Sequence, residues 1–322
     1  MFYANIFIYE MSEYMKNINN QKTRITIITG FLGSGKTTFL SKYVKYLQKN
    51  NENPSVIVNE YGNLDIDSYA ISDDIEVASI LNGCVCCDLQ LDLIKQLKHF
   101  LSKSAMRHII IEATGLAHPI EIIAACQDPE IIEQVAQPTV VGLVDGPRFL
   151  NRFQYTNHTI QLMEEQLSVC HDIVMNKMDL IDNHTHELDE AIRKINPTAS
   201  KYFTTYADMD MNQIALVENG NQMNINNHVH HHGINRLHYH FSGPIHRQLF
   251  YQFILRLPDN VLRLKGYVKF KDMPNDIYEF QYAFGLPDYQ TIDKEVPLTI
   301  VMIGEQLDIN QLRNQLDMLQ FT

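Results

Sequence analysis

The chain has 322 residues, 45% hydrophobic and 20% charged, a balance that excludes a mostly disordered chain and a membrane bundle and predicts two domains. Lys and Arg number 26 against 38 Asp and Glu, a net charge of -12, which argues against nucleic acid and membrane as partners and for small molecules or proteins. The five cysteines are an odd number in a chain with no recognisable export signal, so no disulfide framework is expected and the expected compartment is the cytoplasm.

Residues 1–21 carry no sustained pattern and are expected to form a poorly ordered extension. From Arg24 onward short apolar runs alternate with longer helical patterns, as in an α/β domain with a mostly parallel sheet flanked by helices. The first strand, 25–29, runs into Gly30-Phe31-Leu32-Gly33-Ser34-Gly35-Lys36-Thr37 and a helix over 36–49, the P-loop pattern in its strand-loop-helix setting. The domain is thus expected to be a P-loop NTPase. Gly30, Gly33 and Gly35 let backbone N–H groups turn onto phosphate oxygens, with Ser34 and Thr38 completing the cradle. Lys36 supplies charge to the β- and γ-phosphates, and the Thr37 hydroxyl is a ligand for Mg²⁺.

A strand over 55–58 leads into Asn59-Glu60-Tyr61-Gly62-Asn63, where a first switch would lie; Glu60 reads as a metal ligand, a carboxylate on the Mg²⁺ side or an exposed acid. After a strand-like stretch at 75–80 come Cys84-Val85-Cys86-Cys87, three of the five cysteines within four residues. Clustered thiolates suit Zn²⁺, Co²⁺ or Cu⁺, with a redox pair as the other reading. A helix over 89–102 precedes a strand at 108–111 that ends in Glu112-Ala113-Thr114-Gly115. Glu112 is expected to act on Mg²⁺ through a water, and Gly115 to offer its N–H near the γ-phosphate.

Helices at 119–125, 159–169 and 186–195 alternate with strands at 139–144 and 173–175, and the last strand opens into Asn176-Lys177-Met178-Asp179. An Asp carboxylate there accepts from guanine N1–H and its exocyclic amine, a donor pair adenine lacks, so GTP is favoured over ATP. Cys126 and Cys170 fall in apolar helical segments and read as core. The pattern breaks after Tyr206, and the domains are expected at 22–207 and 234–322 with an Asn- and His-rich linker at 208–233. That linker holds His228, His230, His231 and His232, and His238 and His240 then share one face of a strand; these read either as a weak accessory metal site or as a polar, His-rich run without function. Strands at 236–241, 261–270, 278–284 and 298–303 and helices at 245–255 and 310–319 predict a smaller C-terminal α/β domain.

Taken in order, GFLGSGKTT (30–38), VNEYG (58–62), NGCVCC (82–87), IEATGLAHP (111–119) and NKMD (176–179) resemble the motifs of the CobW-type metal-chaperone GTPases, in the SIMIBI branch of P-loop NTPases. LRLKGYVKF (262–270) and VMIGEQLD (301–308) resemble that family's second domain, so the likeness spans about residues 23 to 320. The resemblance implies GTP hydrolysis coupled to delivery of a divalent metal, zinc by preference or cobalt, to a client metalloprotein, and leaves room for a nucleotide- or metal-dependent homodimer. The chain departs from the family at Asn63, often Glu, and at His118, often Asp. His118 then reads as an added imidazole ligand or as a loop residue before the helix at Pro119. The competing functions are a zinc buffer or sensor that uses nucleotide structurally, and a small-molecule kinase. The sequence offers no acceptor site for a kinase.

Overall fold

In Arg24–Thr29 (β1) every residue after Arg24 is β-branched and buried, the composition a strand needs when helices cover both sides of its sheet. The structure, a computed structural model, describes residues 22–58, 75–79, 86–103, 107–181, 183–214, 234–283 and 285–321. The expectations placed on residues 1–21, Glu60, Asn63, Cys84, His228 and His230 to His232 lie outside the described residues. The described residues fall into two compact units, one drawn from Met1–Cys126 and Glu133–Met223, the other from Gln127–Ile132 and Asn224–Thr322.

In the first unit, β1 joins Ser55–Val58 (β2), Val77–Ser79 (β3), His108–Glu112 (β4), Thr139–Asp145 (β5), Asp172–Asn176 (β6) and Ser200–Phe203 (β7). The seven strands are parallel, in the order β3-β2-β4-β1-β5-β6-β7. The connecting helices are Lys36–Lys49 (α1), Cys86–Leu101 (α2), Pro119–Cys126 (α3), Gly146–Leu150 (α4), Asn157–Ser168 (α5) and Thr185–Ile195 (α6). On α1 the buried positions Phe39, Leu40, Tyr43, Val44 and Leu47 recur at helical spacing and pack in one core with Ile28, Ile110 and Val141 of the sheet. Burying a side chain such as Phe39 stabilises the unit by about 1.5–3 kcal/mol.

Helix α5 begins at Asn157, two residues before the expected start, because Thr156 Oγ1 accepts from Thr159 N at 3.3 Å and caps it. Helix α2 likewise begins at Cys86, three residues early. Among the strands and α-helices of this unit, two carried no clear sequence signal. β7 is an edge strand without a fully buried residue, and α4 is a short helix opened by Gly146-Pro147 after Asp145, whose Oδ1 accepts from Arg148 N at 3.0 Å.

The second unit is a five-stranded sheet, Ile234–His240 (β8), Val261–Phe270 (β9), Met273–Ala283 (β10), Leu286–Ile292 (β11) and Thr299–Glu305 (β12), antiparallel in the order β11-β10-β9-β12-β8. Helices Arg247–Leu255 (α7) and Ile309–Phe321 (α8) accompany it, and Phe250, Phe253 and Leu316 share a core with Leu264, Phe280 and Met302. β11 was missed in the sequence because almost every residue in it is exposed, so it has no apolar alternation. The segment Gln127–Ile132 belongs to this unit. Its Asp128, 1% exposed, accepts from Lys265 Nζ at 2.8 Å, and Lys265 also meets Glu279 at 3.3 Å. Glu130 accepts from Tyr267 at 3.3 Å and pairs with Lys294, and Gln127 accepts from Arg236.

A candidate nucleotide site

β1 is flanked by β4 on one side and β5 on the other, so the loop leaving its carboxyl end enters the crevice where ligands bind in open parallel sheets. That loop is the glycine-rich segment. Gly30 (φ 135°) and Gly35 (φ 102°) take backbone conformations closed to other residues. A Cβ on Gly30 would lie 2.2 Å from Leu143 O, and one on Gly35 2.4 Å from Asn176 Nδ2. Lys36 is buried, and its Nζ donates to Gly30 O at 2.9 Å and Phe31 O at 3.3 Å. Thr37 donates its hydroxyl to Glu112 Oε1 at 2.7 Å, and Thr38 is exposed in the same turn.

Thr29 and Ser34 are fully buried at this loop, and neither hydroxyl has a hydrogen-bond partner among the described residues. Buried hydroxyls left so are costly unless a ligand satisfies them. Hydroxyl and carboxylate oxygens are also the donors that hard divalent cations take. The residues at this loop therefore fit a phosphate group with Mg²⁺.

Asn176, 3% exposed, ties the end of β6 to the loop: Nδ2 donates to Ser34 O at 3.0 Å, while Oδ1 accepts from Ala207 N at 2.8 Å and Thr204 Oγ1 at 3.3 Å. Lys177 stands at φ 61° and donates from Nζ to Asp145 Oδ2 at 2.6 Å. Asp179 is exposed in the 3₁₀ turn Met178–Leu180. Sequence reasoning missed Asp145, although an acid closing a strand before Gly-Pro is a helix-capping signature.

On the other side of β1, a Cβ on Gly115 would lie 2.6 Å from Leu32 N, so the loop after β4 rests on the glycine-rich loop. Gln166 of α5, fully buried, holds that loop by donating from Nε2 to Gly115 O and Ala117 O, both at 3.1 Å. No sequence signal marked Gln166. His118 Nδ1 lies 3.1 Å from Glu165 Oε2. Cys86 and Cys87 open α2; their side chains lie outside the described residues. Cys126 and Cys170 are buried, and burial pushes both thiols well above the usual range, with Asp172 adding to the effect at Cys170. Among the described residues no helix is long and apolar enough to cross a membrane.

The parallel sheet and the loop at its central strand define a P-loop nucleotide-binding protein. Residues 24–203 match the nucleotide-binding domain of the CobW/HypB/UreG family, and residues 234–320 match the cobalamin synthesis protein cobW C-terminal domain. The chain belongs to the CobW/HypB/UreG family. It is 32% identical over 191 residues to the zinc chaperone CobW of Sinorhizobium sp, covering 51% of this chain and 53% of the relative. It is 28% identical over 224 residues to the zinc-regulated GTPase metalloprotein activator 1 of Saccharomyces cerevisiae, covering 59% and 50%. The crystal structure of Zn(II)-bound YjiA GTPase from E. coli superposes with a TM-score of 0.47 at 23% identity, over 92% of this chain and 99% of that one. The chain spans about half the length of the curated relatives it matches.

Proposed function

We propose that this chain is a GTPase that binds a divalent metal, zinc by preference, through Cys84, Cys86 and Cys87 with Glu60, and passes it to a client metalloprotein. The observation that carries the GTPase reading is the Thr37–Glu112 pair, 2.7 Å apart beside a buried Lys36: two hard oxygen donors next to a cation at the mouth of a phosphate loop. Thr37 and Glu112 would hold Mg²⁺, whose chemistry there is to neutralise phosphate charge. Lys36 brings a second positive charge to the loop, the Thr29 and Ser34 hydroxyls donate into it, and Gly115 presents its N–H from the opposite loop. Asp179 reads guanine as a paired acceptor.

The zinc reading is supported by the names of the relatives, a zinc chaperone and a zinc-regulated activator, and by the chemistry of clustered thiols. Cys86 and Cys87 sit in the first turn of α2, where a helix favours negative charge. GTP binding would bring Glu60 to the cysteines, so metal and nucleotide tighten each other by the same factor. The cytoplasm, and a homodimer formed with nucleotide or metal, complete the proposal.

The test is multiple-turnover GTP hydrolysis without a phosphate acceptor, together with Zn²⁺ and Co²⁺ affinity measured with Mg²⁺-GTP, with GDP and without nucleotide. Hydrolysis with a GTP-dependent metal affinity is expected, and replacing Cys86 and Cys87 by Ser removes the tight metal while sparing hydrolysis. Equal metal affinity with GTP and GDP would make the chain a zinc buffer instead.

A further inference from the structure

Arg148 lies in α4, outside every motif of the nucleotide site, yet its guanidinium rests on the phosphate loop. Nη1 donates to the carbonyl oxygen of Leu32, and a Cβ on Gly33 would lie 3.3 Å from Nη1 and 3.7 Å from Nη2. A side chain at Gly33 would press on the guanidinium, so the two are in close contact. Its backbone is held in turn: Arg148 N donates to Asp145 Oδ1 at 3.0 Å, Lys177 Nζ fixes Asp145 Oδ2 at 2.6 Å, and the neighbouring Phe149 of α4 is buried. Arg148 thus joins the Asn-Lys-Met-Asp turn to the loop through a single carboxylate.

Among the described residues no acid neutralises the charge on Arg148. Among the described residues no carboxylate oxygen lies within 4.0 Å of the Arg148 guanidinium. A hydrogen bond to a neutral carbonyl is modest, whereas a guanidinium facing phosphate makes charge-assisted, often bidentate bonds about twice as strong.

The position also selects which phosphate. Lys36 Nζ bonds the carbonyls of Gly30 and Phe31, and Arg148 bonds the next one, Leu32, so the two cations occupy consecutive carbonyls of one loop. Since the loop lysine serves the β- and γ-phosphates, its neighbour along the loop stands at the same end. Gly115, whose N–H the proposed function assigns to the γ-phosphate, packs on the amide nitrogen of the same Leu32.

We propose that Arg148 is a cationic group of the nucleotide site, supplied from α4 in the same chain to the γ-phosphate of GTP. In hydrolysis, water oxygen forms the new bond to the γ-phosphorus and the bond to the β–γ bridging oxygen breaks, its electron pair passing to GDP. The water proton ends on the released phosphate, and Arg148 stays protonated throughout, offsetting the charge that develops on the transferring group. The proposal rests on the GTPase reading above.

Two substitutions separate charge from loop support. Arg148→Gln keeps a donor for Leu32 O and deletes the charge, and Arg148→Lys keeps the charge. Binding of GTP and GDP and the turnover number are measured for both, alongside the wild type and Lys36→Ala. For Arg148→Gln we expect kcat at least about 10-fold lower and GTP affinity at least about threefold weaker, with GDP affinity changed by less than about twofold. Arg148→Lys recovers part of both losses. Wild-type kcat and wild-type GTP-to-GDP preference in Arg148→Gln would overturn the proposal, and so would an equal loss of GTP and GDP, the mark of a distorted loop. Should Arg148→Gln unfold, Arg148→Met is read by the same criteria. If the wild type does not turn over GTP, or turns it over as fast as Lys36→Ala, the GTPase reading has failed; Arg148 is then judged by nucleoside triphosphate against diphosphate affinity alone.

Discussion

The hydroxyl of Thr37, in the first turn of α1, donates to Glu112 Oε1, at the end of β4, across 2.7 Å. Because β1 and β4 are adjacent parallel strands, their carboxyl ends deliver the two oxygens to one place. Thr37→Val, which keeps the shape and loses the oxygen, is expected to lower GTP turnover by at least about 100-fold. Glu112→Gln raises the Mg²⁺ concentration needed for half-maximal turnover. Thr37 is exposed, so its variant keeps the wild-type melting temperature. A Mg²⁺ titration of steady-state hydrolysis, with a thermal melt, checks all three.

Guanine recognition rests on Asp179. Its exposure means that Asp179→Asn leaves stability within about 0.5 kcal/mol. The amide turns one acceptor into a donor facing guanine donors, so GTP affinity falls at least about 10-fold and the preference over ATP narrows. Competition of each nucleotide against a fluorescent GDP measures this, and a wild type that binds ATP as tightly as GTP would refute the assignment.

His108, 2% exposed at the start of β4, lies with Nε2 2.8 Å from Thr26 Oγ1. Burial, with the positive charge of Arg24, lowers its pKa from 6.5 to about 3. Between those values the unfolded chain binds a proton that the folded chain refuses, so stability falls as pH drops through the window and this group contributes no slope above it. The slope approaches about 1.4 kcal/mol per pH unit. Denaturation midpoints taken between pH 4 and 8 should show it, and His108→Leu should flatten it.

Lys265 is 16% exposed between Asp128 and Glu279. Burial alone would lower its pKa; the two carboxylates outweigh that and hold it above the ordinary value. Lys265→Met leaves Asp128 buried without its cation and is expected to cost about 3–5 kcal/mol. Adding Asp128→Asn recovers much of the loss, since no buried charge then remains at that position. Urea unfolding of the two variants tests the non-additivity.

The glycine-rich loop and the Asn-Lys-Met-Asp turn were legible in the sequence because their chemistry is carried by residues a few positions apart, each after an apolar strand. Their supports were not. Gln166 reaches Gly115 across 51 positions, and Asn176 reaches Ser34 across 142; nothing in either neighbourhood announces the pairing. β7 and β11 escaped for another reason: both are edge strands, and without a buried face neither shows the period of two that marks a strand. Gln127-Asp128-Pro129-Glu130 reads locally as a polar turn. Only the fold reveals that its Asp128 is buried against Lys265.

That turn has a consequence for how the chain can be divided or recombined. Since Gln127–Ile132 belongs to the second unit and its neighbours on both sides to the first, the polypeptide passes between the units three times. A cut at 208–233 does not part them: a fragment starting at Ile234 lacks the carboxylates of Asp128 and Glu130, and the remaining piece carries those acids without Lys265 and Tyr267. Grafting the C-terminal unit of a relative onto this chain must therefore bring the relative's own counterpart of the turn with it, so that recombination preserves the pair only when both seams move together.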